Sequence, residues 1–255
     1  MHSKSPVAVI LAAGKGERMK SDLPKVLHQL SGKPMVEYVI NTAKGSGAKR
    51  IILVVGHRWE QAQNSLKHLK VEFVIQREQL GTGHAVLQAQ KLLADFDGDV
   101  LILCGDVPLL KADTLKKLLK EHREKKAKAT VLTAILEDSS GYGRIIRNQK
   151  GVVQKIVEEK DASADQKRIK EINTGTFAFD RASLFSVLEK ITTDNRQGEY
   201  YLTDTLELLH DRKLPIWGVV APDPSETLGI NSPEELKKVE KILIARQFNQ
   251  TKVSP

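Results

Sequence analysis

The stretch "VAVILAAGKGERMKSDLPK", Val7 to Lys25, decides how the rest of the chain is read. Its apolar run, Val7 to Ala13, is too short to span a bilayer and has the unbroken apolar character of a strand buried on both faces. Gly14 and Gly16 follow at once, with Lys15 between them, and Arg18 and Lys25 come close behind. A strand, a glycine turn and a helix can together bring backbone N–H groups to a phosphate. Two familiar versions of that motif fail here. "GKGE" lacks the G-K-[ST] ending of a P-loop, and Gly14-x-Gly16 lacks the third glycine of the dinucleotide fingerprint. A bare G-x-G would equally make a tight turn with no ligand. The distinguishing feature is the pair Arg18 and Lys25: an arginine forks two phosphate oxygens and a lysine adds a mobile point charge, which suits a polyphosphate.

Outward from this stretch the pattern repeats. "RIILVVG" (Arg50 to Gly56), "VEFVIQ" (Val71 to Gln76) and "DVLILCGD" (Asp99 to Asp106) read as further buried strands. Amphipathic stretches near Met35 to Lys44, Trp59 to Leu69 and Ala85 to Leu93 lie between them. This alternation predicts an α/β protein, a Rossmann-like three-layer α/β/α arrangement around a mostly parallel mixed sheet. After Ala129 the strands "ATVLTAIL", "GRIIR" and "VVQKIV" come without long helices, which predicts the mixed part of the sheet. "INTGTFAFD" (Ile172 to Asp180) is another strand, and helices follow at Ala182 to Lys190 and Tyr201 to His210. Ser232, Pro233 and Glu235 form a capping signal for a helix from Pro233 to Phe248. The chain divides into a body, residues 1–231, and a C-terminal helix and tail, residues 232–255, with "TKVSP" as a frayed end.

Composition narrows the function class. A chain of 255 residues suits one α/β domain, or one domain with a small appendage. The single cysteine, Cys104, excludes an intrachain disulfide. Only Lys4 precedes the first apolar run and four charged residues follow it, unlike a signal peptide, so a cytoplasmic location is expected. The net charge of +8 points to anionic partners without choosing among them. Much of the excess lies in Lys111 to Lys128, where Leu115, Leu118, Leu119 and His122 form an apolar stripe, so the cations read as a solvated helix face. With no zinc-finger spacing, ribonucleoprotein motif or aromatic interleaving, no nucleic-acid partner is expected, and no membrane partner either.

Two more segments carry chemistry. "ILCGDVP" puts Asp106 at the C-terminal end of a buried strand, where open α/β sheets bind ligands. It could hold Mg²⁺, which takes oxygen ligands, or simply cap a turn. "QLGTGHA" has glycines that admit a flat base, and Gln76 offers an amide donor and acceptor that match a uracil edge; the segment would also serve as an ordinary helix start.

The motif L-A-A-G-x-G-x-R-M followed by P-K is similar to the signature of sugar-nucleotide pyrophosphorylases. With "QREQLGTGHA", "GDVPLL", "GYGRI", "VEEKDA", "EINTG", "GEYYLTD" and "GIN" in order, nearly the whole chain resembles the uridyltransferase half of the bacterial bifunctional enzymes that make UDP-N-acetylglucosamine. The resemblance implies a nucleotidyltransferase fold and a reaction between UTP and N-acetylglucosamine 1-phosphate that releases pyrophosphate. It implies that Leu11, Ala12, Ala13, Gly14, Gln76, Gly81 and Thr82 hold the nucleotide. Gly105, Gly143, Glu158, Asn173 and Asn231 hold the sugar, and Asp106 and Asn231 hold Mg²⁺. Arg18 and Lys25 act on the triphosphate as the catalytic cations. The nucleophile is already an anion, so no general base is required, and positioning and charge neutralisation carry the catalysis.

Two departures stand out. The family often has tyrosine where Cys104 stands. The bifunctional enzymes continue into a β-helix of hexapeptide repeats that acetylates and trimerises, and no such repeats occur here. The expectation is therefore no acetyl transfer and a monomer or weak oligomer, with "RQFNQTKVSP" read as the end of a naturally short chain. The competing readings are a different sugar 1-phosphate, dTTP in place of UTP, or a non-catalytic nucleotide-sugar sensor. "GEYYLTD" is expected mainly to pack, and Cys104 to be a small buried hydrophobe.

Overall fold

The computed structural model describes residues 4–251, with side chains to Phe248. Residues 252–255, most of the stretch read as a frayed end, lie outside the described residues. The first strand, β1 (Val7–Ala12), stands at the centre, with parallel partners β4 (Arg50–Val55) on one side and β6 (Asp99–Cys104) on the other. The sheet order is β11-β7-β10-β6-β1-β4-β5, with β5 (Glu72–Ile75) at one edge and β11 (Ile216–Val220) at the other. The one reversed strand of that order, β10 (Glu171–Asp180), runs antiparallel to β6 and to β7 (Ala129–Ile135). A hairpin of β8 (Arg144–Arg147) and β9 (Val153–Val157) attaches to the start of β10. The mostly parallel mixed sheet of the sequence reading is thus observed.

Alternation along β1 explains the three layers. Val7 and Val9 face a core built with α3 (Thr82–Leu87), α6 (Arg181–Leu188) and α7 (Asp204–Asp211). Ala8 and Ile10 face α1 (Met35–Gly45), α2 (Trp59–Leu66) and α4 (Ala112–Glu124). Because β1 is covered on both faces, it reads as a continuous apolar run. The short α5 (Ala164–Lys167) lies outside these layers. The C-terminal α8 (Pro233–Thr251) buries Val239 against Met19, Leu30, Met35, Leu109 and Ile230.

Several element boundaries differ from the sequence reading. The stretch Ala85 to Leu93 holds the end of α3 and a separate 3₁₀ turn at Lys91–Leu93. The helix expected at Tyr201 begins at Asp204, because the Leu202 backbone N–H donates to Thr82 Oγ1 at 3.0 Å and holds the preceding residues in a turn. β5 is a half-buried edge strand rather than one buried on both faces. A two-residue hairpin, β2 (Gln29–Leu30) with β3 (Lys33–Pro34), turns at Ser31 and Gly32, both with positive φ; it is too short to leave a periodic signal.

Candidate active site

From β1 the chain crosses to β4 on one side of the sheet, and β6 lies on the other. The switch in direction falls between β1 and β6, and a crevice opens beyond their C-terminal ends. The Ala13–Gly14 turn leaves β1 there, and Gly105 and Asp106 leave β6. Two cavities occupy the crevice, divided by a common wall of Leu11, Thr82, Cys104 and Asp106.

The first cavity is lined by Ala12, Ala13, Gly14, Gln76, Gly81 and Lys25. Every residue to which the sequence reading gave the nucleotide meets in it. The turn after β1 lies on Gly56, where a Cβ would stand 2.7 Å from the Ala13 carbonyl oxygen. Gly16 adopts φ +66°, and a Cβ there would lie 2.7 Å from Lys25 Cβ, so this glycine brings the lysine stem against the turn. Gly14 has open space around it. Gln76 is buried; its amide nitrogen donates to the Gly81 carbonyl at 3.1 Å and faces His84 Nδ1 at 3.1 Å. Its donor is therefore engaged within the protein and its carbonyl oxygen is the group left for a ligand, which narrows the donor-and-acceptor role read from sequence. Gly81 has φ +113°, and a Cβ would stand 2.6 Å from the Tyr200 carbonyl. The backbone explains that closeness: Tyr200 N–H donates to Leu80 O and Gly83 N–H donates to Tyr200 O, each at 2.8 Å.

The second cavity is lined by Gly143, Glu158, Asn173 and Asn231, with Tyr142 and Thr203. A register break in β10 between Asn173 and Phe177, with Gly175 at φ +74°, turns Asn173 and Thr174 toward it. The Asn173 N–H donates to the Gly143 carbonyl at 2.8 Å, which ties the loop before β8 to β10. Glu158 follows β9, and the Thr203 hydroxyl donates to its Oε1 at 2.9 Å. Burial pushes the Glu158 carboxyl above its ordinary range, against the downward pull of the Thr203 hydrogen bond.

Asp106 and Asn231, 125 positions apart in sequence, meet because the Ile230 N–H donates to the Asp106 carbonyl at 2.9 Å. The expected capping box of α8 is present. The Ser232 N–H donates to Glu235 Oε2 at 3.1 Å and the Glu235 N–H to Ser232 Oγ at 3.3 Å. The same carboxylate accepts from the Asn231 N–H at 2.5 Å, so the cap also fixes Asn231. The Lys25 ammonium bridges the pair, donating to Asp106 Oδ2 and, at 3.0 Å, to Asn231 Oδ1. Two hard oxygens thus converge on one cation. That donor set fits Mg²⁺, which commonly takes one or two protein oxygens and completes its shell with phosphate oxygens and water. Among the described residues there is no cluster of three or more acidic, histidine or cysteine ligands, so phosphate would have to supply much of the rest.

Two residues of the expected set fall elsewhere. Arg18 is exposed on a 3₁₀ turn, Glu17–Met19, and lines neither cavity. Gly105 is buried: its N–H donates to the Leu11 carbonyl at 2.9 Å, and a Cβ would press on that oxygen and on Val26. It spaces β6 against β1 and does not line the cavity given to the sugar. Cys104 is half-buried and lines both cavities, which corrects its reading as simple core; burial and then Asp106 push its thiol up to about 12. At neutral pH it is a neutral thiol, not a nucleophile. Sequence reasoning passed over Lys15, Gln79 and Glu199, which line the first cavity, and Thr203. Lys15 carried a signal, since it stands between the two turn glycines; the others did not.

The sequence profile of the MobA-like NTP transferase domain matches residues 8–205. The bifunctional protein GlmU of Listeria monocytogenes serotype 4a is 50% identical over 243 residues, which are 95% of this chain and 53% of that protein. The protein of the same name from Bacillus subtilis strain 168 is 47% identical over 239 residues, 94% of this chain and 52% of its own length. The chain spans about half the length of the curated relatives it matches. A crystal structure of UDP-glucose pyrophosphorylase complexed with UDP-glucose superposes with a TM-score of 0.73 at 18% identity, covering 95% of this chain and 100% of that one, and so shares the fold.

Proposed function

The chain belongs to the MobA-like NTP transferase family, and from that premise we propose that it joins UTP to N-acetylglucosamine 1-phosphate, giving UDP-N-acetylglucosamine and pyrophosphate. The observation that carries this reading is the pair of cavities sharing one wall, with Lys25, Asp106 and Asn231 where they meet. Such a pair suits two substrates whose phosphates must come together. The relatives at about half identity, and the ordered segments from "QREQLGTGHA" to "GIN", support the choice of base and sugar.

In this reading the uridine lies against the Ala12–Gly14 turn and Gly81, and the Gln76 carbonyl accepts from the base. Glu158 accepts from sugar hydroxyls, while Asn173 and the Gly143 backbone hold the N-acetylated ring. A phosphate oxygen of the sugar phosphate forms a bond to the α-phosphorus of UTP, and the bond to pyrophosphate breaks. No general base is needed, because the nucleophile is an anion at neutral pH. Lys25 exchanges its carboxylate partner for phosphate oxygens, and Lys15 adds charge at the turn. Arg18, exposed on the neighbouring loop, is assigned to the outer phosphates. Asp106 and Asn231 would hold Mg²⁺. When bound, the ion would offset repulsion between the two anionic substrates.

Pyrophosphate release from UTP and N-acetylglucosamine 1-phosphate with Mg²⁺ tests the proposal. Glucose 1-phosphate, glucosamine 1-phosphate and dTTP serve as comparisons. Release that requires UTP and the N-acetylated sugar is expected. Release with another sugar would keep the chemistry and discard the specificity. Folded protein that binds UTP and releases nothing would point to a sensor.

A further inference from the structure

Among the described residues Arg144 is the largest fully buried side chain, and it takes no part in the reading above. It stands at the junction of β8 with both neighbours, opposite Val157 of β9 and Ile172 of β10. Its Nη1 donates to the Tyr142 carbonyl. Its Nη2 is ion-paired with Glu159 Oε2 at 2.9 Å, outside hydrogen-bond geometry, and donates to the Lys167 carbonyl at 3.4 Å. The guanidinium therefore joins the residue before Gly143 to the residue after Glu158. Gly143 and Glu158 themselves lie close: a Cβ added to Gly143 would stand 3.2 Å from Glu158 Oε2.

A buried arginine is an expensive way to fill space. Its Nε finds no acceptor among the described residues, and buried ion pairs often add little stability over an apolar residue of similar volume. What the guanidinium supplies is direction, because a planar fork fixes the Tyr142 and Lys167 carbonyls and holds the Glu159 charge beside them, where an apolar chain would not. We propose that Arg144 is a positioning residue of the second cavity. Through Tyr142 and Glu159 it sets the spacing between the Gly143 backbone and the Glu158 carboxylate, and with it the affinity for the sugar phosphate but not for the nucleotide. This rests on the reading of that cavity as the sugar-phosphate site.

The test compares R144K, the doubly neutral R144M/E159Q, and the control I145V, which trims the next core residue of β8 without touching the guanidinium. Small displacements of binding groups carry large kinetic effects, so R144K is expected to raise the KM for the sugar phosphate about tenfold. Its KM for UTP should stay within about twofold, and kcat should change less than the sugar KM. The double variant should move the same way and further, while I145V lowers the melting temperature without splitting the two KM values. Both KM values unchanged, or both rising together, would overturn the proposal. If the wild type turns over no sugar phosphate, the functional reading fails, and amide exchange still judges Arg144. Faster exchange confined to residues 142–147 and 157–159 in R144K but not in I145V supports it, and equal exchange overturns it.

Discussion

The two cavities share a wall but are built in different ways. The first is made from ends of parallel strands and glycine turns, from chain that lies almost wholly within the first 106 residues. Its shape depends on missing side chains: Gly16 lets Lys25 approach, Gly56 receives the turn, and Gly81 fits against Tyr200. The second is made from an antiparallel hairpin, a break in β10 and segments more than 80 residues apart, Gly143 to Asn231. Its shape depends on charge in its wall, in the partly buried Glu158 and in the pair of buried Arg144 with partly exposed Glu159. A site for polyphosphate can rest on local backbone and mobile cations. A site for a neutral ring of hydroxyls needs acceptors whose positions are fixed by long-range packing.

The junction of the two cavities should be the most sensitive point. Asp106→Ala removes an acceptor of Lys25 and one of the two converging oxygens. A folded protein with kcat lowered by a factor on the order of 10³ is expected, since charge stabilisation at the reacting phosphates is lost. Substantial turnover at saturating Mg²⁺ would break the assignment of the junction.

The glycine-built side can be tested through two of its glycines. Gly16→Ala places a methyl 2.7 Å from Lys25 Cβ at φ +66°, so either the turn or the lysine must move. A displacement near 1 Å can cost about 10²-fold, and that loss is expected in kcat/KM for UTP. Gly14→Ala meets open space in the free protein and should leave the melting temperature unchanged. Equal kinetic losses in both variants would mean that nucleotide contact, not Lys25 placement, dominates this turn.

The charge-built side should respond less and in the other substrate. Glu158→Gln keeps the shape and an acceptor for the Thr203 hydroxyl but removes the charge. A hydrogen bond to a charged group contributes roughly 1.5–3 kcal/mol, so a rise of about tenfold or more in the sugar-phosphate KM is expected. UTP affinity should hold. A rise confined to the UTP KM would exchange the roles of the two cavities.

How far each side could be read from sequence follows the same division. "VAVILAAGKGERMK" and "DVLILCGD" carry their own strands and turns, so the turn after β1 and the position of Asp106 were legible from local pattern, while Gln76, Gly81 and Thr82 on the other side of the first cavity were singled out by resemblance. The placement of Arg18 was not legible, because a one-turn 3₁₀ element has no periodicity to aim it. Gly105 was misplaced because a packing glycine and a ligand-facing glycine look alike in sequence. On the second side only resemblance singled out Glu158. "VEEKDA" offers two adjacent glutamates, and nothing local says that one faces the cavity while the other pairs with Arg144. The break in β10 was equally hidden, since "INTGTFAFD" alternates through it.

The smallest expected effect lies behind Glu158, where acidic groups crowd together. Asp204 opens α7, and its carboxyl is raised to about 6 by burial first and then by Glu207, Glu158 and Asp161, with Lys155 opposing. An acid whose folded pKa lies above its unfolded value holds its proton more tightly when folded. Its contribution is therefore fully present below about pH 4 and lost as pH rises through 6. Above pH 6 the ionised Asp204 is a cost. The group is only partly buried and is screened by solvent, which reduces that cost to about 1 kcal/mol. Asp204→Asn should therefore raise the melting temperature by about 2 °C at pH 8. The gain should fade by pH 4, with both KM values unchanged throughout. A gain of the same size at both pH values would assign the effect to packing, and a shift in the sugar KM would show that the acidic cluster acts on Glu158 from behind.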